Sequence, residues 1–251
     1  MKIFIKISVL VLFVILVTIA CNKEKSDNPI NGKTAAIVFN PKVSYGTMTD
    51  QDGIVYKTVT IGTQTWMAEN LRTTKYRNGE SIPNVTDNYG WAVLITGAYC
   101  SYDNTVNNDE IAIYGRLYNW YAIADSRNIA PKGWHVPSKD EWATLTSYLE
   151  GNYGPSGKMK EAGTTHWSAP NGWAYMDAYA TNESGFTALP SGFRYFSNGT
   201  FQNLGFTGFW WSSTAFDATY VYNLSLSYDS GFSFIQSVTR QGGFAVRLLK
   251  D

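Results

Sequence analysis

"GWHVPSKDEWATLTSYLEG" runs from Gly133 to Gly151 and carries its own start and stop signals. Ser138 is a good N-cap, and Glu141, three residues on, completes a capping box in which each side chain answers the other's backbone N–H. Asp140 and Glu141 fall in the first turn, where the helix dipole favours negative charge. Trp142, Leu145 and Leu149 then share one face, and Gly151 ends the run. The stretch predicts one helix with an apolar stripe that must be covered by something else.

Working outward, the cover reads as β-structure. "DGIVYKTVTIGTQTWMAENL" (52–71) alternates Val55, Lys57, Val59 and Ile61 with Ile54, Tyr56, Thr58 and Thr60, and Gly62-Thr63 supplies a turn before Gln64–Met67. Residues 72–112 are rich in Asn, Asp, Gly and Tyr with little periodicity, which predicts long loop with short elements. "YGRLYNWYAIADS" (114–126) predicts a short helix with aromatic contacts. Strand-like pieces follow around Thr187–Leu189, Phe209–Ser212, Tyr220–Leu226 and Phe244–Leu249. No internal repeat is present. Few helices, many short strands and long polar loops point to an α+β domain, packed by 9 Trp and 17 Tyr.

The N-terminus has another character. Met1-Lys2-Ile3-Phe4-Ile5-Lys6 is followed by an apolar run from Ile7 to Ala20 and then Cys21. A basic start and an apolar stretch too short to span a bilayer make a secretory signal over residues 1–20. Thr18-Ile19-Ala20-Cys21 resembles a bacterial lipobox, although Thr18 stands where an aliphatic residue is usual. The resemblance implies that Cys21 is lipidated and anchors the chain to a membrane, with the outer membrane, facing the periplasm or the exterior, as the expected location. Residues 21–46 then read as lipidated cysteine and polar tether, and 47–251 as the domain. Removing Lys2 and Lys6 leaves 18 basic against 20 acidic residues, so nucleic acid is excluded as an expected partner. Cys100 is the only other cysteine. A disulfide within the domain is therefore excluded, and a buried apolar thiol is expected.

Several ordered stretches resemble one family. "GTQTWMAENLRTTKYRNGESIP", "GAYCSYDN", "YGRLYNWYAI", "APKGWHVPSKDEWATLTSYL", "KEAGTTHW", "TNESGFTALPSGFR", "WWSST" and "GGFAVRLLKD" are similar, in order, to the Fibrobacter succinogenes major paralogous domain. The likeness covers about residues 50–251 and implies a secreted or lipid-anchored protein of Bacteroidetes type. Leu248 stands where relatives often have a cysteine, so no disulfide of theirs carries over. More loosely, "GWHVPSKDEW" and "GGFAVR" resemble formylglycine-generating-enzyme-type domains. That likeness implies a C-type lectin-like fold: small twisted antiparallel sheets, one or two helices, long ordered loops and neighbouring termini. Variable ligand-binding proteins of that fold present their ligand surface after a W-S-S motif, which implies a contact surface between Ser212 and Gln241 here.

Candidate chemistry is sparse. The reactive cysteines of formylglycine-generating enzymes are absent. His135 and His166 are the only histidines, thirty-one positions apart, and read as hydrogen-bonded structural residues. Asp177, Glu183, Asp217 and Asp229 are the carboxylates open to a glycosidase-like pairing, but none sits in a motif. No cofactor is expected; calcium, which C-type lectin-like domains often hold, is the alternative that the resemblance implies, at the oxygen-rich "DNTVNNDE" (103–110), otherwise a solvated loop, with "TNES" (181–184) as a second source of ligands. Trp210 and Trp211 must face opposite sides of a strand. One is expected in the core and the other under a loop or outward. Tyr220, Asp229 and Phe232, with Trp211 and Tyr228, form the expected ligand surface, because Tyr, Asp and Phe on a rigid scaffold suit adaptable binding and sugar stacking. The expected function is non-catalytic binding of a glycan or protein ligand at the cell surface. The alternatives are a structural part of an envelope complex and an enzyme such as a glycoside hydrolase.

Overall fold

The computed structural model describes residues 35–151, 154–168 and 180–251. In chain order the strands are β1 (Gly46–Thr49), β2 (Val55–Ile61), β3 (Gln64–Met67), β4 (Tyr99–Cys100), β5 (Leu117–Tyr118) and β6 (Trp134–His135). After these come β7 (Ser191–Arg194), β8 (Phe201–Leu204), β9 (Thr207–Ala215), β10 (Tyr220–Ser227), β11 (Ser233–Thr239) and β12 (Leu249–Lys250). The helices are α1 (Asn88–Ala92), α2 (Asn108–Tyr114), α3 (Trp120–Ile123), α4 (Lys139–Tyr148) and α5 (Ser156–Met159). One sheet has the order β1-β2-β3-β12-β6, a second β11-β10-β9-β7-β8, and β4 pairs with β5. The content is mostly β with few helices, compatible with α+β. The last strand, β12, lies between β3 and β6, so the end of the domain is sewn into the sheet that begins it.

The helix α4 forms as its sequence dictates. Ser138 Oγ accepts from Glu141 N and Glu141 Oε2 accepts from Ser138 N, closing the capping box. Its stripe of Trp142, Leu145 and Leu149 is buried. Trp142 stacks on Trp66 of β3 at 4.6 Å and donates through Nε1 to Trp211 O of β9. The helix therefore bridges the two large sheets. The hairpin of β2 and β3 closes as expected, with Ile61 opposite Gln64 and Gly62 at φ +60°.

Strands here are walls between two cores. Trp66 and Met67 in β3, Trp210 and Trp211 in β9, and Leu248 and Leu249 before the C-terminus each send successive side chains into different clusters. One cluster gathers Trp66, Trp142, Phe186 and Trp210, the other Tyr56, Met67, Trp211 and Val246. Both faces being buried, the apolar-polar alternation that marks a half-exposed strand is missing.

That accounts for several differences from the sequence reading. Strands β7, β8 and β11 were not expected, and Thr187–Leu189 is not a strand, contributing only a bridge from Ala188 to Lys160. Within the long loop with short elements expected over 72–112, residues 108–114 form α2, capped by Asn107 with Asp109 and Glu110 in its first turn. The five α-helices among the described residues exceed the one or two implied, because four of them are short pieces of seven residues or fewer built into the loops. Residues 35–45, assigned to the tether, lie against the domain. Ile37, Phe39, Val43 and Tyr45 pack onto its cores, and Val38 N donates to Glu161 Oε1 at 2.7 Å.

Candidate functional site

The second sheet carries an aromatic hollow of about 210 Å3. Its walls are Phe193, Tyr195, Phe196, Phe209 and Phe244, four of them half-buried and Phe244 buried. The rings brace one another: Phe193 to Phe209 at 5.1 Å, Phe209 to Phe244 at 5.0 Å, Tyr195 to Phe196 at 4.6 Å. The segment before Phe244 comes this near because Gly243 pairs with Arg194, N to O in both directions at 2.9 Å, where a Cβ would meet Arg194 Cβ at 2.7 Å.

Asn223 lies in this hollow and is wholly buried. Its Nδ2 donates to Gln236 O at 3.0 Å, but among the described residues its Oδ1 has no partner. A buried acceptor without a donor costs about 1–3 kcal/mol, and such atoms are rare enough to call for an explanation. Gln236 and Ser237, exposed on β11, add polar groups at the same place. Apolar ring faces with one or two amides are what a compact amphipathic ligand needs. At about 210 Å3 the hollow admits one ring or one side chain rather than a drug-sized molecule, whose pockets run to roughly 300–1,000 Å3.

The expected ligand residues are not brought together. Tyr220 opens β10 and is 43% exposed, whereas Tyr228, Asp229 and Phe232 follow its other end. Eight strand residues put about 24 Å between these groups. Tyr228 is half-buried, edge-on to Phe206 at 5.2 Å, and Phe232 is 61% exposed. Trp211 requires a correction: it is 0% exposed, its Nε1 donates to Tyr118 O at 2.6 Å, and no ligand reaches it in this fold. Its neighbour Trp210 is equally buried, with Nε1 on Asn70 Oδ1 at 2.9 Å, so both tryptophans are core. Asp217 Oδ1 accepts from the Thr219 and Tyr220 backbone N–H, and Asp229 accepts from Ser227 Oγ. Glu183 is exposed at a turn, and Asp177 lies outside the described residues, as does Cys21. Among the described residues no group of three or more His, Cys, Asp or Glu is placed to hold a metal. In the 103–110 segment Asn107 caps α2 and Asn104 donates to Thr86 O. No helix of the described residues is long and apolar enough to cross a membrane.

The model of the Fibrobacter succinogenes major domain matches residues 59–250. The chain belongs to this family. Comparison with curated proteins and with solved structures gives no match in either case.

Several residues of this Fibrobacter succinogenes major domain that look chemical prove architectural. Arg194 is fully buried and gives its N–H groups to Gly199 O, Val85 O, Thr86 O, Asp87 O and Asn88 Oδ1. Arg247 does the same with Asn70 Oδ1, Met67 O, Phe186 O and Thr187 O. Both tie loops to sheets through carbonyl oxygens, with no carboxylate hydrogen-bonded to either among the described residues. His166 Nδ1 meets Glu161 Oε2 at 2.6 Å and Nε2 meets Ala35 O at 3.0 Å, which fastens the segment entering the domain. His135 lies between Asp251 Oδ1 at 2.7 Å and Glu141 Oε1 at 3.0 Å. Burial draws its pKa down, but those two carboxylates outweigh it and hold the pKa above 6.5. Cys100 is free and buried, and burial pushes its thiol up to about 12. The aromatic hollow itself falls inside the matched residues. Sequence reasoning missed it although "SGFRYFSNG" (191–199) packs three aromatics around one arginine, a density that marks either core or contact.

Proposed function

We propose that this protein is a non-catalytic, lipid-anchored envelope protein, held at the outer membrane through Cys21, which binds a sugar ring of a glycan in the aromatic hollow. The observation that carries the reading is a cluster of half-exposed rings around Asn223, whose buried Oδ1 has no partner among the described residues. Sugar rings offer apolar faces to aromatics and hydroxyl donors to such an acceptor. A C-type lectin-like architecture is proposed with it, supported by two small sheets, long ordered loops and a last strand paired with the first sheet. The non-catalytic part is supported by Asp217 and Asp229, which lie beyond opposite ends of β10. Their separation of about 24 Å is far beyond the ~5–9.5 Å of glycosidase carboxylates.

A protein ligand, or a fixed partner in an envelope assembly, is the second reading. Strand β11 favours it: Ser233–Thr239 is the edge of its sheet and holds no charged residue and no proline, the usual guards of an open edge.

The test is calorimetric titration of the full chain in detergent with neutral mono- and oligosaccharides, with calcium and with chelator. Binding that Phe196→Ala weakens at least tenfold, at unchanged melting temperature, supports the reading. Binding that Phe196→Ala leaves intact removes the hollow from it.

A further inference from the structure

The chain has seven arginines, and six have at least two hydrogen bonds each. Arg240 differs. Its Nη2 donates to Asp217 O at 3.0 Å, its Nε is buried without a partner, and among the described residues no carboxylate lies within ion-pair range of it. The guanidinium is held instead over the Trp120 ring at 4.5 Å. Trp120 is itself fixed, with Nε1 donating to Ser212 O at 3.0 Å. The cation is therefore aimed by an aromatic platform and left open to an anion.

It lines a hollow of about 390 Å3, distinct from the aromatic one. Tyr121 is in the same wall, and its hydroxyl accepts from Gln241 Nε2 at 3.3 Å, so its own proton is free to donate. The hollow contains one acid, Asp125, and that acid is occupied. Arg127 Nη2 and Nε hold Asp125 at 2.7 and 2.8 Å, and the bond to Arg127 takes its pKa down to about 2. Arg127 also meets Glu80 at 2.7 Å. Asp217, whose carbonyl serves Arg240, lies outside the hollow; its carboxylate feels the Arg240 charge beyond ion-pair range and accepts from the Thr219 and Tyr220 N–H. The charge not neutralised inside the hollow is that of Arg240. At the mouth stands Ile95, 77% exposed, an apolar edge without a partner of its own.

We infer that this hollow binds the carboxylate of an acidic sugar residue. Arg240 meets the carboxylate with its planar N–H groups, the geometry in which arginine is strongest. Tyr121 donates a further hydrogen bond, and Ile95 covers the ring. A neutral sugar offers the guanidinium only hydroxyl oxygens, which bind it without charge assistance and without the bidentate fit of a carboxylate, so the site discriminates by charge. The inference does not rest on the aromatic hollow, and either site stands if the other fails.

The experiment is ligand-observed NMR titration of the full chain in detergent with sodium glucuronate, glucose and sodium sulfate as separate probes. Expected is glucuronate binding at least tenfold tighter than glucose, weakened at least tenfold by Arg240→Gln and weakened by raising the salt. Arg240 also stacks on Trp120, so Arg240→Gln is paired with Ile95→Glu. That exposed change adds a negative charge at the mouth without touching the core, and it should weaken glucuronate about threefold or more while the melting temperature holds. Phe196→Ala should leave glucuronate affinity unchanged, which separates this site from the aromatic hollow. Equal binding of glucuronate and glucose, or glucuronate affinity unmoved by both Arg240→Gln and Ile95→Glu, overturns the inference. Sulfate binding as tightly as glucuronate and displacing it also overturns it, reassigning the hollow to free inorganic anions.

Discussion

Replacing Asn223 with leucine separates a vacant acceptor from an ordinary buried amide. The two side chains have the same branched shape and the same number of heavy atoms, so no cavity opens; the leucine methyls are bulkier than the amide and fill space toward the hollow. The change removes the Nδ2 bond to Gln236 O at 3.0 Å, a loss of about 0.5–1.5 kcal/mol. It also removes an oxygen buried without a donor, a relief of about 1–3 kcal/mol. Gln236 is exposed, so water can serve its carbonyl in place of the amide. The net effect ranges from about 0.5 kcal/mol destabilising to about 2.5 kcal/mol stabilising. In urea unfolding followed by tryptophan fluorescence, at about 2–3 kcal/mol per molar, the midpoint should hold or rise by up to about 1 M. The same variant should bind sugar at least tenfold more weakly. A midpoint lowered by about 0.7 M or more, corresponding to some 2 kcal/mol lost, would refute the reasoning. It would show that Oδ1 is satisfied in the folded protein and that the hollow has no acceptor waiting for a ligand.

Trp211→Ala should cost about 3–5 kcal/mol, because a fully buried indole and its bond to Tyr118 O are lost together, while Tyr220→Ala should change stability by less than about 0.5 kcal/mol; thermal denaturation distinguishes them. The His135 clamp should be pH-dependent. Its folded pKa is held above 6.5, so its contribution is complete below pH 6.5 and fades as pH rises through the folded value. Glu141 is held below 4.5, because the Ser138 and His135 bonds outweigh burial, so its contribution is complete above pH 4.5 and fades at lower pH. Wild type minus His135→Gln should therefore be largest between about pH 4.5 and 6.5, and below about 1 kcal/mol because the pair is one-third exposed. A difference flat from pH 4 to 9 would mean the carboxylates do not grip the ring.

What the sequence revealed was local. The capping box of Ser138 and Glu141 and the turn at Gly62 are decided within four residues, and both formed where expected. The second sheet was partly hidden for a physical reason. In β9 and β10, Trp210, Trp211, Val221 and Leu224 are buried on both faces, so period-two patterning carries no phase, and β11 with Ser, Gln and Thr looks like loop. The candidate site was less legible still. It is assembled from β7 and the residues after it, β9, β10, β11 and the 242–244 segment, and its telling atom is an amide oxygen defined only by what fails to approach it. Tyr220 and Phe232 are exposed, as a surface reading of "TYVYNLSLSYDSGFSF" requires, but one strand's length separates them.

The central claim is that ligand contact lies in the aromatic hollow rather than at the ends of β10. The most direct measurement is a glycan screen of the full chain beside two variants. One is Phe196→Ala; the other combines Tyr220→Ala, Asp229→Ala and Phe232→Ala. The account predicts that a sugar bound by the wild type is kept by the triple variant and lost by Phe196→Ala. Loss in the triple variant with retention by Phe196→Ala, both folded, would contradict it and return the site to the strand ends.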